Sequence, residues 1–250
     1  LISVMYANND IGTIQPIKKI AKIAKENGVL IHTDACQSIG ALDINVQNLG
    51  VDLMTLNASK VYGPKGVGML YLKKGVRIVP LIHGGGQERN LRSGTENVPG
   101  IIGFTKAVEL AQAEKEEESK RLIKLRDYLT KRVTEEISEC WLNGHPTKRL
   151  PNNANITFLN VEGEAIILLL NEYKIYVSSG SACTSKTLDP SHVIVSMGLP
   201  YEAAHGSIRF TLGKINTKED IDEMMEVLPE IIEKLRGISP VHLKASEVNK

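Results

Sequence analysis

The segment Pro16-Ile-Lys-Lys-Ile-Ala-Lys-Ile-Ala-Lys-Glu-Asn-Gly28-Val-Leu-Ile-His-Thr-Asp34 decides how the first half of the chain folds. Ile17, Ile20, Ala21 and Ala24 recur at the three-and-four spacing of one helical face, which predicts an amphipathic helix over 16–27. Pro16 at its start and Gly28 just past its end are the punctuation such a helix uses. The run Val29–Asp34 that follows is short, apolar and closed by a carboxylate, and it reads as a strand. Working outward, Leu1–Met5, Val51–Leu56 and Val67–Leu72 are further short apolar strands, separated by the helix or by polar turns. That alternation predicts an α/β fold, part of a large domain with a mostly parallel sheet.

The second half reads differently. Asn97 to about Ile137 is a charge-rich helix whose run Glu114-Lys-Glu-Glu-Glu-Ser-Lys-Arg121 is a solvated face. Ala154–Asn160 is a strand, Glu164–Tyr173 a helix and Ser207–Leu212 a strand. Thr217-x-x-Asp220 resembles a capping box before a last helix ending near Gly237. The expected organisation is a large-domain portion over 1–95, a smaller α+β domain over 96–238 and a flexible tail over 239–250.

Composition excludes several function classes. Thirty basic against 29 acidic side chains leave a net charge of +1, without the basic excess that marks a nucleic-acid binder. The longest apolar run, Ala165–Leu170, is far too short to cross a bilayer. Three widely spaced cysteines make no disulfide framework, which fits a reduced, cytoplasmic setting. The histidines at 32, 83, 145, 192, 205 and 242 lack metal-ligand spacing, so no metal is expected. No charged-then-apolar leader is present, and the chain opens at Leu1 inside a strand, which points to a fragment.

Several residues could carry chemistry. Asp34 closes an apolar strand, and ligands of parallel sheets bind at the carboxyl ends of strands; a turn or capping aspartate is the plainer alternative. Lys60 lies in Asn57-Ala-Ser-Lys-Val-Tyr-Gly-Pro-Lys-Gly-Val-Gly68 just past a strand, where desolvation would make its amine nucleophilic. Lys65 competes for that role from within the turn. The loop His83-Gly-Gly-Gly-Gln-Glu-Arg-Asn-Leu-Arg-Ser-Gly-Thr95 offers backbone amides and arginines to an anion. Cys183, in Val177-Ser-Ser-Gly-Ser-Ala-Cys-Thr-Ser185, sits among small polar residues, as an accessible reactive thiol would. Cys36 and Cys140 read as packing residues. Arg209 interrupts the apolar strand Ile208-Arg-Phe-Thr-Leu212 and needs an anionic partner, either an internal carboxylate or a substrate.

Asn8-Asn-Asp-Ile-Gly-Thr-Ile-Gln-Pro16, His32-Thr-Asp-Ala-Cys-Gln37, Lys60-Val-Tyr-Gly-Pro-Lys-Gly-Val-Gly68, the loop from Gly84 to Thr95 and Ser178-Ser-Gly-Ser-Ala-Cys-Thr-Ser185 occur in one order. Together they resemble the NifS/IscS type of cysteine desulfurase, a group of fold-type I pyridoxal-phosphate enzymes, from residue 1 to about 236. The resemblance implies a role for each matching position. Lys60 would hold pyridoxal 5′-phosphate covalently and later carry a proton. Asp34 would pair with the pyridinium nitrogen, Gln37 with the ring hydroxyl, and Asn9 would help hold cofactor and substrate. Arg209 would bind the carboxylate of L-cysteine. Thr95 would reach the cofactor phosphate of a partner subunit in a homodimer. Cys183 would take the sulfur as a persulfide, release alanine as the other product, and pass the sulfur to an iron–sulfur scaffold or to tRNA thiolation. The family commonly has histidine directly before the lysine and serine three before it; Ser59 and Asn57 stand there in this chain and would donate to phosphate. The resemblance also implies that about a third of the family's length precedes Leu1, including an aromatic residue that stacks on the cofactor ring. Selenocysteine lyase and cysteine-sulfinate desulfinase are the neighbouring activities, and a truncated, non-catalytic partner-binding protein is the alternative from another class. The cysteine loop weighs against the first two, and the joint presence of Asp34, Gln37, Lys60 and Cys183 against the last.

Overall fold

Residues 1–7 and 15–116 make one compact unit of the chain, and residues 8–14 with 117 onward make another. The computed structural model describes residues 1–180 and 189–248. In the first unit β1 (Ile2–Met5), α1 (Ile17–Glu26), β2 (Ile31–Asp34), α2 (Val46–Leu49), β3 (Leu53–Asn57) and β4 (Gly68–Leu72) follow one another. The strands lie in sequence order across the sheet. β1, β2 and β3 are parallel, with Met5 beside Asp34 and Asp34 beside Thr55. β4 is antiparallel to β3, with Asn57 opposite Gly68. Only residues 58–67 join those two strands, too few for the crossover that a parallel neighbour requires.

α1 buries Ile17, Ala21 and Ala24, the stripe its spacing predicts. Gly28 then takes φ 65°, a left-handed turn that ends the helix without a Cβ clash. α2 is capped by Asn45, whose side chain accepts from the amides of Gln47 and Asn48. Ile31, Ile39, Met54 and Leu56 lie in the apolar cluster that α1 covers. α3 (Gln87–Asn90) is one turn inside the glycine-rich segment, and α4 (Val98–Glu136) realises the long helix. Phe104 on α4 is buried in the same cluster as Val61 and Val67, with Ala107, Val108 and Ala111 packed against it. Residues 96–116, placed with the smaller domain by sequence alone, therefore pack with the first unit.

The second unit holds β5 (Cys140–Leu142), β6 (Asn153–Phe158), α5 (Gly163–Glu172), α6 (His192–Ser196), α7 (Tyr201–His205), β7 (Ser207–Thr211), α8 (Lys218–Ile238) and α9 (Ala245–Val248). Its sheet is antiparallel, in the order β5-β6-β7. Ala154, Ile156 and Phe158 of β6 enter a core with Val133, Ile166, Leu170 and Leu228. The alternate residues Asn153, Asn155 and Thr157 are also buried, so both faces of β6 are dry. α8 begins with the capping box read from the sequence: Thr217 accepts from the Asp220 amide and Asp220 accepts from the Thr217 amide. In the C-terminal segment Leu243 exchanges two backbone hydrogen bonds with the Asn160 side chain, at 2.7 and 3.0 Å. Among the described residues no helix is long and apolar enough to cross a membrane, and no His/Cys/Asp/Glu group could hold a metal ion.

Candidate active site

In the first unit the candidate residues gather at the carboxyl ends of β2 and β3. Asp34 is the last residue of β2, half-buried, and its Oδ1 accepts from the Cys36 amide at 2.9 Å. One strand over, β3 ends at Asn57 and the chain turns at once into a 3-10 helix, Ala58–Val61, which carries Lys60. Asn57 caps that turn: its Oδ1 accepts from the Ser59 amide at 2.9 Å and from the Ser59 hydroxyl at 2.7 Å. The Ser59 proton is thus committed to Asn57, and the Asn57 amide NH2 is the side-chain donor left at the cap. Lys60 is exposed rather than desolvated, because the turn carries it off the strand end. Its ammonium is still close enough to Cys36 to act on that thiol. Gln37 is half-buried, and its side-chain amide has no hydrogen-bond partner among the described residues.

The glycine-rich loop is folded on itself. Ser93 is buried and donates to the Gly85 carbonyl at 2.7 Å, while the Gly94 amide donates to Gln87 at 3.1 Å. Glu88, Arg89 and Asn90 take φ values of 48°, 57° and 65°, an unusual left-handed run for side-chain-bearing residues. Thr95, just beyond, is exposed.

In the second unit Arg209 lies on β7 and Asn9 in the loop 8–14. Arg209 Nη1 donates to the Asn9 carbonyl at 3.0 Å. Its Nε is buried and has no hydrogen-bond partner among the described residues. No partner of Nη2 is found among the described residues either. Nε and Nη2 form one edge of the guanidinium fork, and an edge left open in this way matches the two oxygens of a carboxylate. The backbone of Arg209 also pairs with Ser178, donating to its carbonyl at 2.7 Å. Cys183 lies outside the described residues.

The pattern of the family described as aminotransferase class-V matches residues 1–224. The chain belongs to the class-V aminotransferase family. Among curated relatives, a cysteine desulfurase IscS of Methanosarcina thermophila is 56% identical over 241 residues, covering 96% of this chain and 59% of its own. One from Dictyoglomus turgidum is 57% identical over 240 residues, covering 96% and 61% respectively. A solved NifS-like protein is 41% identical with a TM-score of 0.84, covering 93% of this chain and 61% of its own. The chain thus spans about three fifths of the length of the relatives it matches.

The cofactor of this class-V family and of its desulfurases is pyridoxal 5′-phosphate. The donor set in the first unit suits it: a lysine amine for the aldehyde, a half-buried carboxylate for a protonated ring nitrogen, and amides at Gln37 and Asn57 for ring and phosphate oxygens.

The two described cysteines differ sharply from a reactive thiol. Burial, then the hydrogen bond and charge of Asp34, push Cys36 up to about 12 against a smaller opposing pull from Lys60. Burial pushes Cys140 up to about 11. The polar residues that hold Asn9 and Arg209 escaped the sequence reading. They are Asp10, Asn143, Arg149, Asn153 and Asn155, all at most 3% exposed. The alternation Asn153-x-Asn155-x-Thr157 reads equally well as the wet face of an ordinary strand. The usable signal was the motif around Asn8, which packs three hydrogen-bonding side chains into adjacent positions.

Proposed function

We propose that the protein to which this chain belongs is a pyridoxal-phosphate-dependent cysteine desulfurase. The observation that carries the reading is the position of Asp34 at the carboxyl end of β2 and of Lys60 in the turn that follows the neighbouring parallel strand β3. The names and identities of the relatives direct it to cysteine. When bound, the cofactor supplies an electron sink for charge left on the substrate by bond cleavage. Asp34 would keep the ring nitrogen protonated, and Lys60 would hold the aldehyde and afterwards carry a proton at its Nζ. The open Nε/Nη2 edge of Arg209 orients the cysteine carboxylate, with Asn9 of the loop 8–14 held beside it through its carbonyl.

Cys183 is assigned the sulfur. Three cysteines are present, and two of them have thiols too weakly acidic to attack near neutral pH. The Cys183 thiolate displaces the Cβ of L-cysteine from its sulfur: one S–S bond forms and one C–S bond breaks. The electron pair of that C–S bond stays on carbon, which takes up a proton, so L-alanine and an enzyme persulfide result. The finer assignments follow from the resemblance: a cytoplasmic homodimer in which Thr95 reaches the cofactor phosphate of the partner subunit, and an iron–sulfur scaffold or tRNA-thiolating protein as acceptor.

Incubation of the full-length protein with pyridoxal phosphate, borohydride reduction and peptide mass spectrometry test the reading. A pyridoxyl adduct on Lys60 that disappears in Lys60→Ala, with cysteine-dependent alanine release, is expected. Selective labelling of Lys65 or of no lysine would overturn it.

A further inference from the structure

Four consecutive carbonyls of the loop 8–14 are each taken by a donor from elsewhere in the second unit. Arg209 Nη1 donates to Asn9 O at 3.0 Å, Asn153 Nδ2 to Asp10 O at 3.0 Å and Arg149 Nη2 to Ile11 O at 3.0 Å. The Leu150 amide donates to Gly12 O at 2.9 Å. Within the loop, Asn8 Oδ1 accepts from the amides of Asp10 and Ile11 at 2.9 and 3.0 Å.

Asp10 stands at the centre of this arrangement, 1% exposed. Its Oδ1 accepts from Asn155 Nδ2 at 2.8 Å, and its Oδ2 accepts from the Ser191 hydroxyl. Asn155 is in turn fixed by Asn143, whose Nδ2 donates to Asn155 Oδ1 at 2.7 Å and to Thr157 at 2.8 Å. A buried carboxylate without an ion-pair partner among the described residues is costly and persists only where its oxygens are hydrogen-bonded. Here two donors converge on two oxygens, a demand that an alanine cannot meet at all.

The β-register shows what that carboxylate sets. Asn155 on β6 is directly opposite Arg209 on β7. Two cross-strand neighbours therefore grip two adjacent loop residues: Asn155 holds Asp10, and Arg209 holds Asn9. The Asn9 carbonyl occupies Nη1 of Arg209 and so determines which edge of the guanidinium remains open. We propose that Asp10 is a positioning residue for carboxylate recognition: through Asn155 and the Asn9 peptide it holds Arg209 with its Nε/Nη2 edge facing outward from the loop contact. The inference rests on the reading of Arg209 as the carboxylate-binding residue.

The test compares L-cysteine with cysteamine, which has the same amine and thiol but no carboxylate. Half-saturating concentrations are read from the change in cofactor absorbance on rapid mixing with the full-length, cofactor-loaded protein. Asp10→Ala is expected to weaken L-cysteine binding about tenfold, as a misplaced binding group does, and to leave cysteamine within about twofold. Ser191→Ala removes only one donor to Asp10 and is expected to weaken L-cysteine about threefold with cysteamine unchanged; it carries the test if Asp10→Ala does not fold. Equal weakening of both ligands would mean a merely structural role, and no weakening of either would mean no role; each overturns the inference. If the unsubstituted protein binds L-cysteine no more tightly than cysteamine, the assignment of Arg209 fails first, before any variant is made.

Discussion

Arg209 illustrates how one residue can hold a charge in a strand without neutralising it. A carbonyl takes one guanidinium nitrogen, and among the described residues a buried Nε is left open, so the group is anchored with one edge available to an anion. Arg149, nearby in the same network, is the opposite case: its nitrogens go to the carbonyls of Ile11, Asn143 and Asn153. Burial and the neighbouring charge of Arg126 push it down to about 10, so it stays charged at neutral pH and serves the fold alone. The cysteines give a prediction at this scale. Cys36 and Cys140 titrate only towards about 12 and about 11, because burial disfavours the thiolate. At pH 8 their reactive fraction is lower than that of an ordinary thiol with a pKa of about 8.5 by about two orders of magnitude or more. Native protein treated with iodoacetamide at pH 8 is therefore expected to alkylate at both at least about a hundredfold more slowly than after denaturation. The rate should rise with pH until the thiols ionise, since raising the pH is what creates the nucleophile. Rapid labelling of Cys36 at neutral pH would remove the argument that leaves Cys183 as the sulfur acceptor. Asp34 and Lys60 can be singled out as candidates from the sequence because one closes an apolar strand and the other lies just past one. Asp10 cannot, since its partners Asn155 and Ser191 are far away in sequence and no local pattern records that they meet.

At the scale of elements, periodic segments were readable and short ones were not. α1 and α4 announce themselves through spacing and length, and α8 through its cap and its stripe of Ile221, Met224, Met225, Leu228, Ile231 and Ile232. β5 covers only Cys140–Leu142, and α6 and α7 only five residues each, too short for any periodicity to register. The direction of β4 could have been inferred from the short connection alone, whereas the burial of both faces of β6 could not. Alternation in a sequence tells which residues share a face, not what lies against it. The capping box at Thr217 makes a stability prediction. Thr217→Ala leaves the first turn of α8 without its side-chain acceptor, and the expected loss is about 1 kcal/mol, measured as a lower urea midpoint with unchanged slope. Thr217→Ser keeps an acceptor oxygen and should recover most of the loss. A Thr217→Ala midpoint equal to that of the unsubstituted protein would show that the buried stripe alone fixes the start of the helix.

At the scale of the whole molecule, the chain enters the second unit twice, once for residues 8–14 and again at residue 117. The first visit has consequences for how that unit can exist. Residues 117–250 contain the entire apolar core around Phe158 and Leu228, and on burial alone they would qualify as an independent domain. Their polar side is another matter. Without residues 8–14, Arg149, Asn153, Asn155 and Arg209 lose the acceptors at Ile11, Asp10 and Asn9. Ile11 also leaves its small cluster with Ile194 and Ala204. Water can hydrate part of what is opened, so each hydrogen bond is worth its net value of about 1 kcal/mol rather than the full cost of an orphaned group. Several such losses are a large share of a typical domain stability of about 5–15 kcal/mol. The amides of β6 are therefore expected to exchange with deuterium at least about a hundredfold faster in a fragment of residues 117–250 than in the 250-residue chain, a ratio that corresponds to about 2.7 kcal/mol. Protection in the fragment equal to that in the longer chain would show that the second unit stands without the loop. The hold of Asp10 on Arg209 would then have to be explained by ligand binding rather than by the stability of the unit.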